Sequence, residues 1–218
     1  MLAALFSETI IYEVATPSMW HSTLYPEERR YISNALSKRK REFSAGRACA
    51  RKALQRAGIN HGPLLMDRDR IPLWPDNIVG SISHTEGFCA AAIAPSNTLL
   101  GLGFDVERCD RDMTTIQSHI CTKGELSWLK EYGNEFEQQW TAVIFSAKES
   151  IYKCLYPLTR VFMDFKDVEL TLHAKALAFE VDFLTAVLLS EINHEMLKGK
   201  FIITPDFIFT SCEYPRCN

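Results

Sequence analysis

With 218 residues, of which 47% are hydrophobic and 23% charged, the chain has the length and composition of a soluble globular protein, which excludes the disordered and fibrous classes. Its net charge of −3 hides an asymmetry, because residues 37–52 hold seven basic residues and one acidic residue, so the rest of the chain sums to −9. This pattern indicates one localised anion site and excludes a general polyanion-binding protein, so we expect no nucleic-acid partner.

Cysteine usage and hydropathy bear on where the protein works. The seven cysteines are scattered and contain no CxxC pair, which disfavours a disulfide framework or a structural zinc site and favours a reducing cytoplasm. The opening letters, MLAALFSETI, lack a basic n-region, so we expect no signal peptide. No segment offers the roughly 18 uncharged apolar residues of a membrane helix, so we also expect no membrane span.

The first half of the chain has a helical pattern followed by short strands. Residues 26–57 are predicted to be helical, with an end before Gly58, and the prolines in residues 63–75 exclude long helices there. Runs rich in apolar residues, bounded by glycine or polar residues, then predict three strands, over 79–84, 88–94 and 99–107.

The second half mixes helices and strands. Thr122, with Glu125 three residues later, has the capping-box pattern of a helix start. A longer helix is predicted from about Glu135 to Leu155, stopped by Pro157. Alternation in the tail predicts strands within residues 167–173, 176–183 and 200–214. The sequence therefore predicts an α+β, or mixed α/β, fold.

The stretch GLGFDVERCD contains two acids that share one face of a strand. Asp105 and Glu107 are two residues apart, so their side chains point the same way, with Phe104 and Val106 on the other face. Two neighbouring carboxylates repel each other and favour a bridging cation, and hard oxygen ligands suit Mg²⁺ or Mn²⁺. The alternative is an edge strand with ordinary surface acids.

The stretch FSAKESIYKCLYP combines charge with aromatic bulk on one helix. Glu149 and Lys153 are four residues apart, a spacing that also serves as a routine surface ion pair. If Glu149 joined Asp105 and Glu107, the three carboxylates would form a metal site. Lys148 and Lys153 would then face negative charge on whatever the metal holds, most naturally a phosphate. The alternative is a helix pair at the margin of the core.

The basic segment, residues 37–52, is predicted to place a stripe of cations at the edge of the core. At 100° per residue, Lys40, Arg47 and Arg51 fall within a narrow stripe that Phe43 and Leu54 border. A bordering stripe can bind a phosphate with partial desolvation, for which arginine forks are well suited. The alternatives are a solvated face and a nucleic-acid face, and the negative remainder of the chain disfavours the latter.

The stretch GSISHTEG surrounds one histidine with small residues and hydroxyls. Ser83 and His84 allow close approach of a ligand and offer donors to phosphate oxygens. The alternative for His84 is a structural hydrogen bond to the backbone. A serine nucleophile with a histidine base is disfavoured because the G-x-S-x-G elbow is absent from the sequence.

Taken together, these motifs resemble a known family. SAGRACARKAL, RIPLWP leading into GSISH, GFDVE and FSAKESIYK resemble, in order and spacing, the 4′-phosphopantetheinyl transferases of the surfactin type, and among them the enterobactin synthase component D branch. The last two stretches fit the paired signatures G-[IV]-D-x-E and [FW]-[ST]-x-K-E-[SA]-x-x-K, with Phe104 as an unusual residue in the first. The resemblance covers residues 40–155.

The resemblance implies a reaction and residues for it. Family members transfer the 4′-phosphopantetheine arm of coenzyme A to a serine of an apo carrier protein and release adenosine 3′,5′-bisphosphate. By resemblance, Asp105, Glu107 and Glu149 would hold Mg²⁺, or Mn²⁺, on the coenzyme A pyrophosphate. Lys148 and Lys153 would neutralise that pyrophosphate. Glu149 would also accept the proton of the attacking serine, directly or through a water.

The same resemblance assigns further contacts to the co-substrate. The residues expected at the phosphates of coenzyme A are Ser83, His84, Arg47 and, beside Arg47, Lys40 or Arg41. The residues expected along the adenine are Arg70, Ile71 and Pro72. Glu125 corresponds to a further acidic position near the metal, and its role stays open.

The resemblance also implies a fold and a partner. We expect a monomer of two similar α+β halves related by a pseudo-twofold, residues 1–104 and 105–218, with coenzyme A between them. The partner would be an acyl, peptidyl or aryl carrier domain. Siderophore synthesis is the pathway that the enterobactin-type branch implies, with polyketide and polyunsaturated fatty-acid carriers as alternatives.

Two other functions stay open on the residues alone. A metal-dependent phosphohydrolase would use the same carboxylates with water as the acceptor. A non-catalytic coenzyme A-binding or nucleotide-binding module would need only the cations, and three converging acids argue against it.

Overall fold

A computed structural model of the chain describes residues 2–133 and 136–216. Its α-helices are α1 (Pro26–Arg29), α2 (Ser37–Arg56), α3 (Gln117–Ile120), α4 (Lys123–Trp128), α5 (Glu137–Thr159) and α6 (Ala186–Glu191). Its strands are β1 (Ile11–Val14), β2 (Ile78–Thr85), β3 (Phe88–Pro95), β4 (Leu99–Arg108), β5 (Val168–His173), β6 (Ala178–Phe183), β7 (Lys198–Ile203) and β8 (Phe207–Pro215).

The first half packs one long helix on a three-stranded antiparallel sheet of order β1-β3-β2. The small side chains of β3, which reads FCAAAIAP, let α2 approach closely. Cys49 and Ala50 of α2 are buried against Ala91, and Leu54 is buried against Ile93. The predicted end of this helix is confirmed, because Gly58 follows it with φ +76° in the left-handed region.

The second half packs another long helix on a larger antiparallel sheet of order β4-β8-β7-β6-β5. Ala147, Ile151 and Cys154 of α5 are buried in the same cluster as Ile208 and Cys212 of β8. The contact with β4 is close because β4 offers a glycine there. A Cβ atom on Gly103 would lie 1.7 Å from the carbonyl oxygen of Ser150, so the helix rests directly on the strand backbone.

Strands β2 and β4 join the two halves. The Ser81 hydroxyl accepts a hydrogen bond from the Phe104 amide (3.0 Å) and donates to the Phe104 carbonyl (3.4 Å). The N-terminal segment adds a second link, because Leu5 and Phe6 are buried against Phe104 and Phe209. The predicted α+β fold of two similar halves, each with one long helix on an antiparallel sheet, is confirmed.

The prediction of one continuous helix over residues 26–57 is wrong. It is divided into α1, a 3₁₀ turn at Arg30–Ile32, and α2, with Leu36 in an extended conformation before α2. The Arg51 guanidinium and the Glu28 carboxylate are 2.7 Å apart. In one continuous helix these residues would be about 35 Å apart along the axis, so the break is required for this ion pair.

The predicted stop at Pro157 is also wrong, since α5 runs on to Thr159 with Pro157 inside it. A proline in the last turn removes one intrahelical hydrogen bond and leaves those beyond it intact. The helix instead ends at Arg160, which has φ +57° and donates its amide to the Tyr156 carbonyl. The predicted start at Glu135 lies outside the described residues.

The capping box and the strands stand as predicted. Thr122 and Glu125 exchange the two hydrogen bonds of a capping box at the start of α4. Strand β4 runs through the proposed division at 104/105 and belongs wholly to the larger sheet, so a division in the loop before Leu99 agrees better with sheet membership.

None of the helices in residues 2–133 and 136–216 is long and apolar enough to cross a membrane.

We expect Gly103→Ala to destabilise the protein by about 3 kcal/mol or more, because the added methyl would overlap the backbone of α5 and both elements are held by the core. Urea unfolding of the purified variant measures the change. Gly62→Ala is the control, since no atom lies within 4 Å of a Cβ at that position. Equal stability of the two variants would contradict the close contact between β4 and α5.

Candidate active site

A cleft of about 250 Å³ lies between the two halves. One side is formed by α2 and β2, with Arg39, Arg47 and His84 among its lining residues. The other side is formed by the loop at residues 66–72 and by α5, which contributes Tyr152, Lys153, Tyr156 and Pro157. Of the residues predicted to contact coenzyme A, the cleft thus brings together Arg47, Arg70, Ile71, Pro72, His84 and Lys153.

Arg47 is a buried cation that lacks a counter-ion in direct contact. Its side chain is 3% exposed, and its guanidinium lies over the Phe43 ring, 4.3 Å from the ring centroid. The Nε and Nη2 atoms of Arg47 have no hydrogen-bond partner among residues 2–133 and 136–216. Burial lowers the pKa of Arg47 to about 10, so it is still charged at neutral pH. A buried, charged fork with unpaired donors is a strong anion site, because a bound anion would remove the cost of desolvation.

Arg39 and Glu42, which sequence reasoning missed, lie beside His84. Arg39 can only donate, so its contact with His84 Nε2 makes that nitrogen the acceptor and leaves the ring proton on Nδ1. Nδ1 faces a carboxylate oxygen of Glu42 at 3.6 Å. Burial lowers the pKa of His84, which favours the neutral ring. Arg39, Phe43 and Arg47 follow an i, i+4, i+8 ridge, and this spacing is the signal that could have found Arg39.

This ridge places Arg39 beside Arg47, whereas the predicted phosphate contact of Lys40 or Arg41 stays a prediction. Lys40 is exposed and is not among the residues that line the cleft. Arg41 lines a separate surface groove with Trp20 and Lys38. The physical reason is that the cleft runs along the i, i+4 ridge of α2, whereas Lys40 lies on the adjacent ridge.

Asp105 is the centre of a buried hydrogen-bond network. Its Oδ1 accepts from Ser83 Oγ (2.8 Å) and from the Lys153 ammonium (2.6 Å), and its Oδ2 accepts from Ser146 Oγ (2.8 Å). Ser83 is therefore turned toward Asp105, and its predicted phosphate contact stays a prediction. Ser146 is the hydroxyl position of the FSAKESIYK motif, and it links Asp105 to Thr210 of β8 at 2.9 Å.

Glu107 and Glu149 border the same network. Burial raises the pKa of Glu149, and the nearby carboxylates of Asp105 and Glu107 raise it further, against the opposite effect of Lys153. Burial and Asp105 likewise raise the pKa of Glu107, which pairs with Arg111 at 2.8 Å. The three predicted metal ligands are thus electrostatic neighbours.

These carboxylates do not form a ready-made metal cluster. Within residues 2–133 and 136–216, no group of three acidic, histidine or cysteine side chains is arranged to hold a metal ion. The physical reason is visible in the partners, because Asp105 is turned to Lys153 and Glu107 to Arg111. Like charges that neighbour one another turn to the nearest cations.

Lys148 and Glu125 form a buried ion pair, which corrects the role predicted for Lys148. The Lys148 ammonium donates to Glu125 Oε2 (2.7 Å), to the Ile120 carbonyl (3.0 Å) and to the Phe165 carbonyl (2.8 Å). An ammonium has three N–H groups, so none remains for a pyrophosphate. The Lys148 side chain is 1% exposed, and burial lowers its pKa while raising that of Glu125.

Glu125 is a structural anchor in this arrangement. It accepts from the amides of Thr122 (2.8 Å) and Leu170 (2.9 Å), so it joins the start of α4 to β5. All of its strong contacts are made inside the second half. Both carboxylate oxygens of Glu125 are thus engaged by protein groups.

Comparison with known proteins identifies the family. Residues 27–94 match the model of the 4′-phosphopantetheinyl transferase N-terminal domain, and residues 101–206 match that of the 4′-phosphopantetheinyl transferase superfamily. The chain is 37% identical to the 4′-phosphopantetheinyl transferase Svp of Streptomyces mobaraensis over 188 residues. This aligned region is 84% of this chain and 76% of Svp.

Two further relatives extend the comparison. The 4′-phosphopantetheinyl transferase PptT of Mycobacterium tuberculosis is 27% identical over 220 residues, which are 97% of this chain and 96% of PptT. Enterobactin synthase component D of Salmonella typhi is 34% identical over 135 residues, 61% of this chain and 55% of that protein. The chain belongs to the 4′-phosphopantetheinyl transferase superfamily and is an enzyme of that class, as the sequence motifs predict.

We expect Lys148→Met to destabilise the protein by about 3–5 kcal/mol, because it leaves the Glu125 charge buried without its partner. The double variant Lys148→Met/Glu125→Gln should recover most of this loss, since the buried charge is then removed and the amide still accepts from the backbone. Chemical unfolding of both variants tests the ion pair. A stable single variant with a weakened affinity for coenzyme A would restore Lys148 to the ligand site.

Proposed function

We propose that the chain transfers the 4′-phosphopantetheine moiety of coenzyme A to a serine of an apo carrier protein, with Mg²⁺ bound, and releases adenosine 3′,5′-bisphosphate. The observation that carries this proposal is the polarity of the cleft. One buried cation with unpaired donors, Arg47, lies on its α2 side. The neighbouring carboxylates Asp105, Glu107 and Glu149 lie on the other side, and Lys153 donates to Asp105. A dinucleotide-like ligand with phosphates at two places fits such an arrangement.

The α2 side would bind the 3′-phosphate. Arg47 has two unpaired nitrogen donors, and Arg39 stands on the same ridge of the helix. His84 is held by Arg39 and Glu42 with its Nδ1 protonated, so it is positioned beside the two arginines. Two guanidinium groups satisfy the several oxygens of a terminal phosphate better than those of a bridging one.

The carboxylates fit a hard divalent cation. Asp105, Glu107 and Glu149 are close enough to raise the pKa of Glu149, and a cation bound among them would offset this repulsion. We propose Mg²⁺, with Mn²⁺ as an alternative, and when bound it would neutralise the coenzyme A pyrophosphate and polarise the phosphoryl group that is transferred.

Lys153 and Glu149 would carry the chemistry of the protein itself. Lys153 is held at Asp105 Oδ1 and at Ser83 Oγ (3.1 Å), and its ammonium faces the place where charge develops on the leaving bisphosphate. Glu149 lies beside Asp105 and Lys153, so its carboxylate is placed to accept the proton of the attacking serine. The proton would pass to Glu149 directly or through a water.

The phosphopantetheine arm needs an apolar wall beyond the metal ligands. A second cavity of about 240 Å³ opens beside Glu149 and is lined by Tyr152, Phe162, Met163, Phe165 and Val168. Phe162 is 73% exposed, so the cavity is open to solvent at this side chain. We propose that the arm lies here with its thiol directed outward, which would tolerate both free and acylated coenzyme A.

The relatives support the finer parts of this proposal to different degrees. Svp and PptT are named as 4′-phosphopantetheinyl transferases, and enterobactin synthase component D bears the name of a siderophore pathway. We therefore propose peptidyl, aryl or acyl carrier domains of secondary metabolism as partners. We also propose a monomer that acts in the cytoplasm, without a nucleic-acid partner. A metal-dependent phosphohydrolase and a non-catalytic binding module are the rival functions.

One experiment separates these three functions. The protein is incubated with coenzyme A, Mg²⁺ and a panel of apo carrier proteins, and the carriers are weighed by mass spectrometry. We expect one phosphopantetheine added to a carrier serine. Free phosphopantetheine without carrier modification would support hydrolysis, and unchanged coenzyme A with measurable binding would support a binding module.

In the same assay we expect Asp105→Asn to lower the transfer rate by more than about 100-fold, because the substitution removes a carboxylate charge at the proposed metal site. Raised concentrations of Mg²⁺ or Mn²⁺ should restore part of the rate. Asp182→Asn, on the exposed face of β6, is the matched control and should keep the wild-type rate. Full activity of Asp105→Asn without added metal would contradict the metal role.

We expect Arg47→Ala to weaken binding of coenzyme A by roughly 10- to 100-fold, because charge-assisted hydrogen bonds to a phosphate are lost. Binding of 3′-dephospho-coenzyme A should change far less, since that ligand lacks the phosphate. Calorimetric titration with both ligands measures the difference. Equal losses for the two ligands would mean that Arg47 does not bind the 3′-phosphate.

A further inference from the structure

Arg160 reaches from the end of α5 to the loop of the first half. It adopts φ +57° and ψ +15°, a left-handed conformation that is uncommon for residues other than glycine. In this conformation its Nη1 lies 2.5 Å from Asp67 Oδ2 and 3.2 Å from Asp69 Oδ2. One guanidinium nitrogen thus pairs with two carboxylates across the boundary between the halves.

The loop that carries these carboxylates is internally braced. Asp67 Oδ1 accepts from the amides of Asp69 and Ile71, each at 2.9 Å, and the Asp67 amide donates to the Ile71 carbonyl. Met66 and Pro72 form an isolated antiparallel bridge. Asp67 therefore uses one oxygen to hold the loop together and presents the other to Arg160.

The two elements that Arg160 joins are neighbouring parts of the cleft lining, on the side that faces α2 and β2. The loop contributes Asp69, Arg70, Ile71 and Pro72 to the lining, and the last turns of α5 contribute Tyr156 and Pro157. Arg160 itself is not among the lining residues. Its ion pairs hold these two parts of the lining together from outside the ligand space.

We propose that Arg160 is the positioning residue that fixes the shape of the nucleotide end of the cleft, by holding the loop at residues 66–72 against the end of α5. This inference rests on the proposed function, because it assigns that end of the cleft to the adenosine bisphosphate part of coenzyme A. Arg160 acts through the loop, and the ligand touches the loop.

An exposed ion pair is usually weak, and this one has two features that strengthen it. Arg160 is 48% exposed, but its carboxylate partners are 18% and 31% exposed. Burial acts to raise the pKa of Asp67, yet the hydrogen bonds from Arg160 and from two backbone amides outweigh it and lower that pKa. The two backbone hydrogen bonds to Asp67 Oδ1 already fix this side chain, so little side-chain entropy of the aspartate is lost when it pairs with Arg160.

The test measures binding of three ligands to wild type and to Arg160→Ala by calorimetry. Coenzyme A and adenosine 3′,5′-bisphosphate should each bind roughly fivefold more weakly to the variant, the upper range for an exposed pair, whereas 4′-phosphopantetheine should bind equally well. At saturating coenzyme A the transfer rate should be unchanged. Arg160→Lys should recover part of the loss, because an ammonium can reach one carboxylate but has no fork.

A double-mutant cycle separates positioning from direct contact with the ligand. Asp67→Asn keeps the oxygen that braces the loop and removes the charge that faces Arg160. It should reproduce the loss of Arg160→Ala, and the double variant should be no worse than either single variant. The loss should also shrink at high salt, since the pair is exposed to solvent.

Arg56→Ala is the matched control. Arg56 is 53% exposed and also bonds a carboxylate across elements, at Glu13 (2.7 Å), but on a surface away from the cleft. It should bind all three ligands as wild type does. Equal binding of coenzyme A by Arg160→Ala and wild type would overturn the inference alone. If wild type itself bound neither coenzyme A nor the bisphosphate, the proposed function would fall with it.

Discussion

The carboxylate of Asp105 is the interaction on which the rest of the molecule depends. It is 4% exposed, and its hydrogen-bond partners come from β2 of the first half and from two turns of α5 in the second half. Through Ser146 it is also linked to Thr210 of β8. A buried carboxylate loses stabilising free energy when any of its partners is removed, so these four elements are held in one arrangement. The joint between the halves and the proposed metal site are therefore built from the same atoms.

The cleft separates unlike charges that could have neutralised each other. Arg47 is buried with unpaired donors on one side, and Glu107 and Glu149 have raised pKa values on the other. In many proteins such groups would form salt bridges across the gap. Here each side keeps its excess charge, which raises the free energy of the protein alone and lowers that of a complex whose charges complement both sides.

Local sequence signals predicted most of the fold and part of the site. The strands that carry His84 and Asp105 alternate clearly, and the acids of GFDVE share a face because strand geometry alone dictates it. The spacing of Glu149 and Lys153 likewise follows from one helix. These residues lie together because the two motifs belong to adjacent elements, β4 and α5.

The errors arose where a long-range contact overrides a local pattern. Lys148 stands between two site residues in sequence, yet helix phase turns it toward Glu125 in the core, and the letters do not reveal that partner. Arg39 was missed because several neighbouring cations share the start of α2, and only tertiary packing selects one ridge. The break after α1 brings Glu28 to Arg51, and no window of a few residues contains both members of this ion pair.

The order of the larger sheet has a consequence for biosynthesis. The strands of the smaller sheet all come from residues 11–95, so that sheet can form as soon as they leave the ribosome. Strand β4 cannot pair so early, because its hydrogen-bonded neighbour is β8, near the end of the chain, and Asp105 lies opposite Thr210. At about 5–20 residues per second, the nascent chain carries Asp105 for roughly 5–20 s before that partner is made. During this interval Phe104 and Val106 lack the cover of Phe209, and the strand edge is open to pairing with other chains. The segment that bears the proposed metal ligand is thus the one that a translating cell would have most reason to shield.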